Sequence, residues 1–470
     1  MARKKKPYKN LQIVGIADKG KAVGKTPEGQ VIFVEGAVPG DVVDVLILRK
    51  KKNYSEAVTT NMVTLSPFRV TPDCEHFGTC GGCKWQNLDY QEQLLHKEKT
   101  VVDAVQRLAK LPAEIVKPIV GCDTVFRYRN KLEYSFSTKR WLTSEEIALS
   151  EEKIAGIGAL GFHKAGYFDK VVDIKTCHLQ ESLTNSIRNF IRDFAYSHGL
   201  SYYDVKAHIG FLRNIIIRNT KSGDWMVILV VGSENEKDLH PLLDAIQYQF
   251  PEIKSLYYVI NPKHNDTIFD LEHHLWYGEP YILETLGNVR YKIGSKSFFQ
   301  TNPLQAETLF NIAVKYAECT PNDIVYDLYT GLGSIALYIA ADVHKVIGIE
   351  EVPEAIDDAK ENALLNDIQN VKFFAGDVKD LLTDDFIKLH KKPDIIITDP
   401  PRAGMHESVV ETLLKVEARR IVYISCNPST QARDLALLSQ KYTVDDITPV
   451  DMFPHTHHIE SVAKLTLKTQ

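Results

Sequence analysis

The 470-residue sequence predicts a multi-domain protein that combines an N-terminal OB-like β-barrel, a central α+β domain with a cysteine-rich loop and a C-terminal Rossmann-like α/β domain. Its length exceeds what one hydrophobic core usually supports. Short strand-like runs separated by Gly and Pro turns occupy residues 10–65, and a regular alternation of strands and helices begins near residue 291. We therefore expect domains at 1–66, 67–290 and 291–470.

The composition is that of a folded protein of the cytoplasm. Hydrophobic residues make up 44% and charged residues 25% of the sequence, which is typical of a globular chain. No run approaches the roughly 20 apolar residues that a membrane helix needs. A secretory signal has an apolar segment after its basic residues, and no such segment follows the basic residues at this N-terminus. We expect a cytoplasmic protein without a membrane partner.

The N-terminal barrel is expected to bind nucleic acid. Strand-like runs at 30–34, 41–48 and 56–59 are separated by turns, which is the pattern of a small OB-type barrel. Residues 1–60 hold 12 Lys and Arg against 6 Asp and Glu, although the net charge of the whole chain is -5. The basic residues 49–52 fall between two strands, where they can reach a phosphate backbone. The alternative is a solvated tail and a charged surface loop.

Four of the seven cysteines form a candidate metal site. Cys74, Cys80 and Cys83 are close in sequence and Cys177 follows far downstream. In a reducing compartment such a cluster indicates metal rather than disulfides. Zinc knuckles usually supply their ligands as two close pairs, whereas three close cysteines and a distant one suit a cubane iron–sulfur cluster. Zinc stays the alternative, and we expect a structural role rather than redox chemistry.

The C-terminal domain is expected to contain a parallel, doubly wound sheet, because strands that alternate with helices connect in parallel. Residues that follow such strands meet at the carboxyl edge of the sheet, where ligands bind. The predicted strands lie at 324–328, 346–349, 371–374, 395–398, 421–425 and 462–467.

A glycine turn in this domain marks a cofactor site. Residues 327–334 connect a strand to a helix, and glycines there let the backbone approach a ligand. Glu350 ends the next strand, 19 residues after Gly331, where a carboxylate can accept hydrogen bonds from ribose hydroxyls. Because the full dinucleotide pattern is absent, S-adenosylmethionine is the expected cofactor and a dinucleotide is the alternative.

A carboxylate and two prolines follow the apolar strand 395–398. The prolines of Asp399-Pro400-Pro401-Arg402 fix a non-helical loop at the ligand edge. Enzymes that methylate amino groups often have an aromatic ring after the two prolines, so Arg402 at this position counts against amine chemistry. A plain strand-ending turn explains the prolines but not the carboxylate.

A cysteine at the end of a further strand predicts covalent chemistry on a pyrimidine. Cys426 follows strand 421–425, on the edge expected to hold Glu350 and Asp399. Uracil C5 is too weakly nucleophilic to take a methyl group unaided, but a thiolate that adds to C6 turns C5 into an enolate carbon. The C5 proton must then leave, and Glu460, next to the last predicted strand, is the candidate base.

With these residues the chain resembles the RNA (uracil-5-)-methyltransferase family, in particular the ribosomal RNA branch that carries an iron–sulfur cluster. Residues 36–41 look like the turn of a TRAM domain, and the four clustered cysteines match the cluster ligands. Residues 425–428 match the nucleophile motif and residues 458–461 the base segment, which implies Cys426 as nucleophile and Glu460 as base. The positions that match cofactor-binding residues of the family are Gln300, Tyr329, Glu350, Asp377 and Asp399.

The resemblance implies S-adenosylmethionine-dependent methylation of uridine C5 in structured RNA, and 23S ribosomal RNA is the expected substrate. Thr330 departs from the family, which often has a cysteine there that takes no part in the reaction. The match over 119–290 is loose, so transfer RNA stays an alternative substrate. A non-catalytic RNA-binding assembly factor is the other alternative. The joint presence of four residues that folding does not require counts against it: Cys426, Glu460, Asp399 and Gln300. We expect a monomer whose partner is RNA.

Overall fold

The computed structural model describes residues 6–143, 147 and 158–469. Its first element is a closed five-stranded barrel, which confirms the predicted OB-like fold. The barrel strands are β1 Pro7–Ile16, β2 Ala22–Lys25, β3 Val31–Glu35, β4 Val42–Lys50 and β5 Tyr54–Thr64. They pair in the order β1-β2-β3-β5-β4 and enclose a small core to which alternate residues such as Leu11, Ile13, Val43 and Val45 contribute.

The basic residues 49–52 lie at the turn between β4 and β5, as predicted. Arg49 and Lys50 end β4. The Lys51 ammonium lies 5.6 Å from the centroid of the Tyr54 ring, and that ring packs edge-on against Phe33. Cations and aromatic rings therefore occur side by side at this end of the barrel.

Helix α1 spans Tyr90–Ala104, and Asp89 caps it by accepting a hydrogen bond from the N–H of Gln91 (2.9 Å). A π-helical turn, Val105–Ala109, follows directly. Leu94, Val101 and Val105 lie on the buried face of this helix, and a continued 3.6-residue period would place Leu108 there too, but its side chain is 49% exposed. The reason is that a π turn is wider than an α turn and rotates the residues after it away from the 3.6-residue period.

The middle of the described chain forms a mixed seven-stranded sheet with two helices. In this sheet only the pairing of β10 with β11 is parallel among the described strands. The elements are β6 Lys131–Ser137, β7 Ala159–His163, β8 Val171–Asp173, α2 Leu183–Ser197, β9 Leu212–Asn219, β10 Trp225–Val231, α3 Glu236–Gln249, β11 Ile253–Ile260 and β12 His274–Gly278. The order is β12-β11-β10-β9-β6-β7-β8, and the strands β13 Tyr281–Leu286 and β14 Val289–Gly294 form a separate hairpin.

The C-terminal part is a Rossmann-like sheet with helices on both faces, as predicted. The strands are β15 Ile324–Leu328, β16 Lys345–Glu350, β17 Val371–Ala375, β18 Ile395–Thr398, β19 Arg420–Ser425, β20 Tyr442–Val450 and β21 Glu460–Leu467. The helices are α4 Pro303–Ala317, α5 Ser334–Ile339, α6 Pro353–Leu365, α7 Val378–Leu381, α8 Asp384–His390, α9 Glu407–Val416 and α10 Pro428–Leu438. Short 3-10 turns occur at Asp18–Gly20, Ala113–Ile115 and Ala340–Asp342.

The expectation of a wholly parallel sheet is wrong at one edge. The strand order is β17-β16-β15-β18-β19-β21-β20, and the first five strands are parallel. Strand β21 runs antiparallel to β19, and β20, which the sequence analysis did not predict, runs antiparallel to β21. The two last strands are joined directly by residues 451–459 and not by a crossover helix, so they can pair only in opposite directions.

The expected boundary at residue 290 falls inside β14. The hairpin is bonded to the C-terminal part, because the N–H of Lys292 donates to Asn362 of α6 (2.7 Å) and the N–H of Arg290 donates to Asn366 (2.9 Å). The division into 1–66, 67–290 and 291–470 stays a prediction. Within the described ranges, every helix is too short or too polar to cross a membrane.

Candidate active site

The glycine turn after β15 forms one side of the candidate site. Its backbone has positive φ at Tyr329 (65°), Gly331 (57°) and Gly333 (83°). A Cβ at Gly333 would lie 3.1 Å from the Phe373 ring, so both the conformation and the space favour glycine there. The N–H of Gly331 donates to Glu350 Oε2 (3.1 Å). The carboxylate that ends β16 is therefore held beside the turn, as the sequence predicts.

Asp377 and Tyr329 lie on the same edge of the sheet. Asp377 follows β17, caps α7 by accepting from the N–H of Lys379 (3.0 Å), and pairs with the Lys379 ammonium, which lowers the pKa of the carboxyl. Burial, followed by the charge of Asp377, raises the pKa of Tyr329 to about 12. The tyrosine is thus a neutral, half-buried phenol within electrostatic range of Asp377.

Two carboxyl groups lie where β15 and β18 end. Asp327 is 1% exposed; its Oδ2 accepts from Thr330 Oγ1 and from the N–H of Ala336 (3.1 Å), and its Oδ1 has no partner among the described residues. The N–H of Asp399 donates to the Leu328 carbonyl (3.3 Å). Burial raises the pKa of each carboxyl to about 7, and Asp327 contributes to the shift at Asp399. Both surroundings disfavour a negative charge.

Cys426 lies between β19 and α10. The preceding strand is buried along its whole length, whereas Cys426 itself is half-buried. Asn427 caps α10 through the N–H of Ser429 (3.1 Å) and donates from Nδ2 to the Arg402 carbonyl (3.0 Å), which ties this loop to the Asp-Pro-Pro-Arg loop. Burial, followed by the charge of Glu460, raises the pKa of Cys426 to about 11, and Arg402 opposes this shift. In the free protein Cys426 is a thiol.

Glu460 is the first residue of β21 and only 7% exposed. Because Ser425 pairs with Ser461 in the antiparallel register of β19 and β21, the residues just beyond this pair, Cys426 and Glu460, are neighbours. The Glu460 carboxyl makes no hydrogen bond with any residue that the structure describes. Burial, followed by the charge of Asp399, raises its pKa well above the usual value.

Arg402 is a cation that acts on both of these groups. It lowers the pKa of Cys426 and that of Glu460, and its Nη2 lies 3.3 Å from His458 Nδ1. Burial lowers the pKa of His458 to about 4, so the ring is neutral and can accept this hydrogen bond. From the sequence, Arg402 counted only against amine chemistry, and Asp327 had no expected role. Their positions in the sequence could have indicated a role: Arg402 directly follows the two prolines, and Asp327 begins the segment 327–334 that contains the glycine turn.

Gln300 lies on a segment that is bonded to two other parts of the chain. Its carbonyl accepts from Asn130 Nδ2 (3.0 Å), next to β6. Two residues later, Asn302 caps α4 and donates from Nδ2 to the Met452 carbonyl (3.0 Å), in the segment before Glu460. The side-chain amide of Gln300 has no hydrogen-bond partner in the described ranges.

Comparison with known proteins gives the family. Residues 273–468 match the tRNA (uracil-5-)-methyltransferase family, and residues 8–59 match the TRAM domain. A Bacteroides thetaiotaomicron protein described as an uncharacterized RNA methyltransferase is 50% identical over 456 residues, which is 96% of this chain and 100% of the relative. The chain belongs to the tRNA (uracil-5-)-methyltransferase family. A Porphyromonas gingivalis relative with the same description is 47% identical over 469 residues, 98% of this chain and 100% of its own length.

A solved structure also resembles the whole chain. The Pyrococcus abyssi tRNA (uracil-54, C5)-methyltransferase in complex with S-adenosyl-L-homocysteine is 29% identical, with a TM-score of 0.75 over 98% of this chain and 100% of that one. The chain is thus an RNA (uracil-5-)-methyltransferase by family, which confirms the predicted enzyme class. The TRAM match confirms the predicted identity of the barrel, and the family name supports RNA as the partner.

In this methyltransferase the four clustered cysteines line one cavity of about 390 Å³. Burial raises the pKa of Cys80 and of Cys83 to about 12. The N–H of Gly82 donates to Cys80 Sγ (3.4 Å), and Gln86 Nε2 donates to Cys83 Sγ (3.2 Å). None of the seven cysteines, all of which lie in the described ranges, forms a disulfide. In the described ranges, no three or more His, Cys, Asp and Glu side chains are arranged to hold a single metal ion, and the iron–sulfur cluster stays a prediction.

Proposed function

We propose that this enzyme methylates C5 of an RNA uridine through a covalent bond between Cys426 and uracil C6, and that Glu460 accepts the C5 proton. The observation that carries the proposal is the register of β19 and β21, which makes Cys426 and Glu460 neighbours at the edge where Asp399 also lies. Burying a carboxyl group that makes no hydrogen bond is costly. The fold of this sheet gains nothing from such a carboxyl beside a thiol, so we infer that the pair is there for the reaction.

The reaction follows from these two groups. The Cys426 thiolate adds to C6, and the electron pair of the C5–C6 double bond moves toward O4 and makes C5 an enolate carbon. Bound S-adenosylmethionine supplies the methyl group to C5 as an electrophile. Glu460 then removes the C5 proton, the C5–C6 double bond forms again, and the C6–S bond breaks with its electron pair returning to sulfur.

The charges around the site suit this sequence of steps. Cys426 must lose a proton before it adds, and the guanidinium of Arg402 favours the thiolate because it lowers the pKa of the thiol. A buried carboxylate with a raised pKa is a stronger base than an exposed one, which supports Glu460 in this role. Burial raises the pKa of Cys426 and of Glu460, and Arg402 lowers both. We propose that the charge of Arg402 makes the thiolate and the carboxylate, which are the reactive forms, accessible.

We propose that the cofactor lies along the carboxyl edge of the parallel strands. Glu350, held beside Gly331, is available to ribose hydroxyls with its remaining lone pairs. Tyr329 and Asp377 lie near the same turn. Asp399 lies between this turn and Cys426, where a carboxyl can face the charged end of the cofactor. The full proposed set is Gln300, Tyr329, Glu350, Asp377 and Asp399.

RNA that contains 5-fluorouridine tests the covalent step. Because fluorine cannot leave as a cation, the Cys426 adduct with this base should persist and survive denaturing electrophoresis when S-adenosylmethionine is present. Cys426→Ala should form no adduct. Cys319→Ala, which removes another half-buried thiol outside the site, should form the adduct at the wild-type rate. A wild-type protein that methylates RNA without forming any adduct would end the proposal.

We also propose a cubane iron–sulfur cluster held by Cys74, Cys80, Cys83 and Cys177. Cys80 and Cys83 accept hydrogen bonds at sulfur from the N–H of Gly82 and from Gln86 Nε2. The backbone N–H groups of His76 and Leu179 lower the pKa of Cys74 and of Cys177, which favours thiolate ligands. A single zinc ion needs thiols that converge on one point, and such a group is absent from the described ranges, whereas a cubane offers a separate iron to each thiolate. Bound there, the cluster would cross-link the cysteine-rich loop to the segment before α2.

The metal content decides this question. Protein purified without oxygen should contain iron and acid-labile sulfide and absorb broadly in the visible range. Serine at any of the four cysteines should lower both contents and the yield of folded protein. Stoichiometric zinc without sulfide would contradict the cluster and favour the alternative.

We propose ribosomal RNA as the substrate, on the resemblance of the sequence to the ribosomal branch. Transfer RNA is a second candidate, because the Pyrococcus abyssi structure that resembles the whole chain is a tRNA (uracil-54, C5)-methyltransferase. Methyl transfer from labelled S-adenosylmethionine to purified unmodified 23S ribosomal RNA and transfer RNA separates the two. One chain supplies every proposed catalytic residue, which supports a monomer.

A further inference from the structure

The connection between β20 and β21 has no regular secondary structure, and hydrogen bonds from other parts of the chain hold most of its backbone. Residues 451–459 form neither helix nor strand, and they lead directly into Glu460. Five consecutive carbonyl groups of this connection each accept a hydrogen bond from another part of the chain. The donors are Cys122 Sγ to Asp451 (2.9 Å), Asn302 Nδ2 to Met452 (3.0 Å), Lys97 Nζ to Phe453 (3.1 Å), Tyr128 Oη to Pro454 (3.0 Å), and the N–H groups of Lys84 and Trp85 to His455 (2.7 and 3.1 Å).

Helix α1 supplies the charged part of this arrangement. Tyr90, Gln93 and Lys97 share one face of the helix, and all three bond to the connection. Asp451 accepts from Lys97 Nζ at Oδ1 (2.6 Å) and from Tyr90 Oη at Oδ2 (2.9 Å). Gln93 Oε1 accepts from the N–H of His455 (2.9 Å). The Lys97 and Asp451 side chains are 1% and 0% exposed.

A buried ion pair is an expensive way to stabilise a fold, because the cost of desolvating two charges can exceed their attraction. What the Lys97–Asp451 pair provides is a defined geometry. It holds a connection in which His455 keeps a left-handed backbone, with φ of 64°. A non-glycine residue in that conformation costs on the order of 1 kcal/mol or more and persists only where the surroundings impose it. Such strain is concentrated at functional sites.

We propose that Lys97 and Asp451 are positioning residues that hold Glu460 for the deprotonation of C5. The proposal rests on the role of Glu460 proposed above. None of the described hydrogen bonds of Tyr90, Gln93, Lys97 or Asp451 reaches residues 425–430. The connection leads directly into Glu460, whereas it meets the Cys426 loop through Arg402, which lies 3.3 Å from His458 and accepts from Asn427 at its carbonyl. Loosening the connection therefore affects the last step, in which the C5 proton passes to Glu460, the C5–C6 double bond forms and the thiolate leaves. It affects the addition of Cys426 and the transfer of the methyl group much less, because these steps depend on the connection through Arg402 and not through Glu460.

The double variant Lys97→Met with Asp451→Asn tests this division. It removes both charges together, so no buried charge is left alone, and it keeps the approximate shape of both side chains. With 5-fluorouridine RNA, which reports only addition and methyl transfer, the rate of adduct formation should stay within about twofold of wild type. With natural RNA, turnover should fall by roughly 10-fold to 100-fold, the range expected when a catalytic group is slightly displaced, and a methylated adduct should accumulate.

Two further variants complete the experiment. Lys99→Met changes a lysine of the same helix that is 68% exposed, and it should leave both rates unchanged. Tyr90→Phe deletes one hydroxyl and should give a smaller effect of the same kind, even if the double variant folds poorly. Equal losses with both RNAs, or unchanged turnover in both the double and the Tyr90 variant, would overturn the positioning role. A wild type without any fluorouridine adduct would instead overturn the proposed function.

Discussion

Glu460→Gln is the substitution that separates methyl transfer from release of the product. Glutamine keeps the size of the side chain but cannot take up the C5 proton. Because addition and methyl transfer precede deprotonation, the variant should stop with Cys426 still bonded to a methylated uracil. The expected product is thus an RNA–protein adduct that carries the methyl group.

The structure sets the size of this effect. A positioned general base contributes typically 10²-fold to 10⁴-fold. Glu460 is 7% exposed, so bulk water can hardly replace it, whereas the carboxyl of Asp399 lies close enough to raise its pKa and can replace it in part. We therefore expect turnover to fall by about 10³-fold, while the rate of adduct formation stays near that of wild type.

The folded protein provides an independent check. Burial raises the pKa of Glu460 in the folded protein, whereas a glutamate in the unfolded chain has a pKa of about 4.3. The stability that the protonated Glu460 side chain contributes is therefore fully present below about pH 4.3. It is lost as the pH rises through the pKa of Glu460 in the folded protein. Glutamine does not titrate. The variant should therefore match wild type near pH 4 and unfold at a higher temperature than wild type at pH 8.

The assay uses S-adenosylmethionine labelled in the methyl group, natural uridine RNA and denaturing electrophoresis. Glu272→Gln, at a carboxyl that is 81% exposed, is the matched control and should behave as wild type. Free methylated RNA released at a near-normal rate by Glu460→Gln would refute the reasoning. So would an inactive variant without adduct, and either result would make Asp399 the next candidate base.

Three further predictions follow from the site and the barrel. Cys426→Ala should abolish methyl transfer and leave the affinity for S-adenosylmethionine within a few fold, as measured by calorimetry; turnover above roughly a tenth of wild type would contradict covalent catalysis. Alanine at Lys50, Lys51 and Lys52 together should weaken RNA binding and lower the slope of log K against log salt by about 0.7–0.9 for each lost phosphate contact, and an unchanged slope would mean a merely solvated turn. Asp327→Asn should stabilise the protein at pH 8 by about 4 kcal/mol and hardly at pH 4, because burial raises the pKa of this carboxyl to about 7 and the ionised form is therefore disfavoured in the fold. Equal urea unfolding of both proteins at pH 8 would contradict it.

Most strands of the C-terminal sheet could be predicted from the sequence. Strands β15 and β18 begin and end at the predicted residues, because each is a short apolar run bounded by turns. Strand β20 was missed because Asp445, Asp446 and Pro449 interrupt its apolar pattern, and these residues are tolerated only because β20 is the edge strand of the sheet. The exposure of Leu108 could not be predicted either, because a π turn does not follow the 3.6-residue period of an α-helix.

The residues of the site that lie at the carboxyl ends of parallel strands could be predicted from the sequence. Glu350 ends a parallel strand, and Asp399 and Cys426 each follow one, so their common edge could be expected from the order of elements alone. Arg402 and Asp327 were missed because their importance lies in what surrounds them. The charge of Arg402 matters since it faces a buried thiol and a buried carboxyl, and burial is a property of the folded chain.

Glu460 belongs to the site for a reason that the sequence analysis did not contain. In a wholly parallel sheet the first residue of the last strand would lie at the edge opposite to Cys426. Strand β21 has eight residues, so the two groups would then be separated by roughly 25 Å. The antiparallel direction of β21 brings its first residue to the carboxyl edge instead. It also brings residues 451–459 to that edge without a helix to support them, which is why their carbonyl groups depend on α1 and other distant donors.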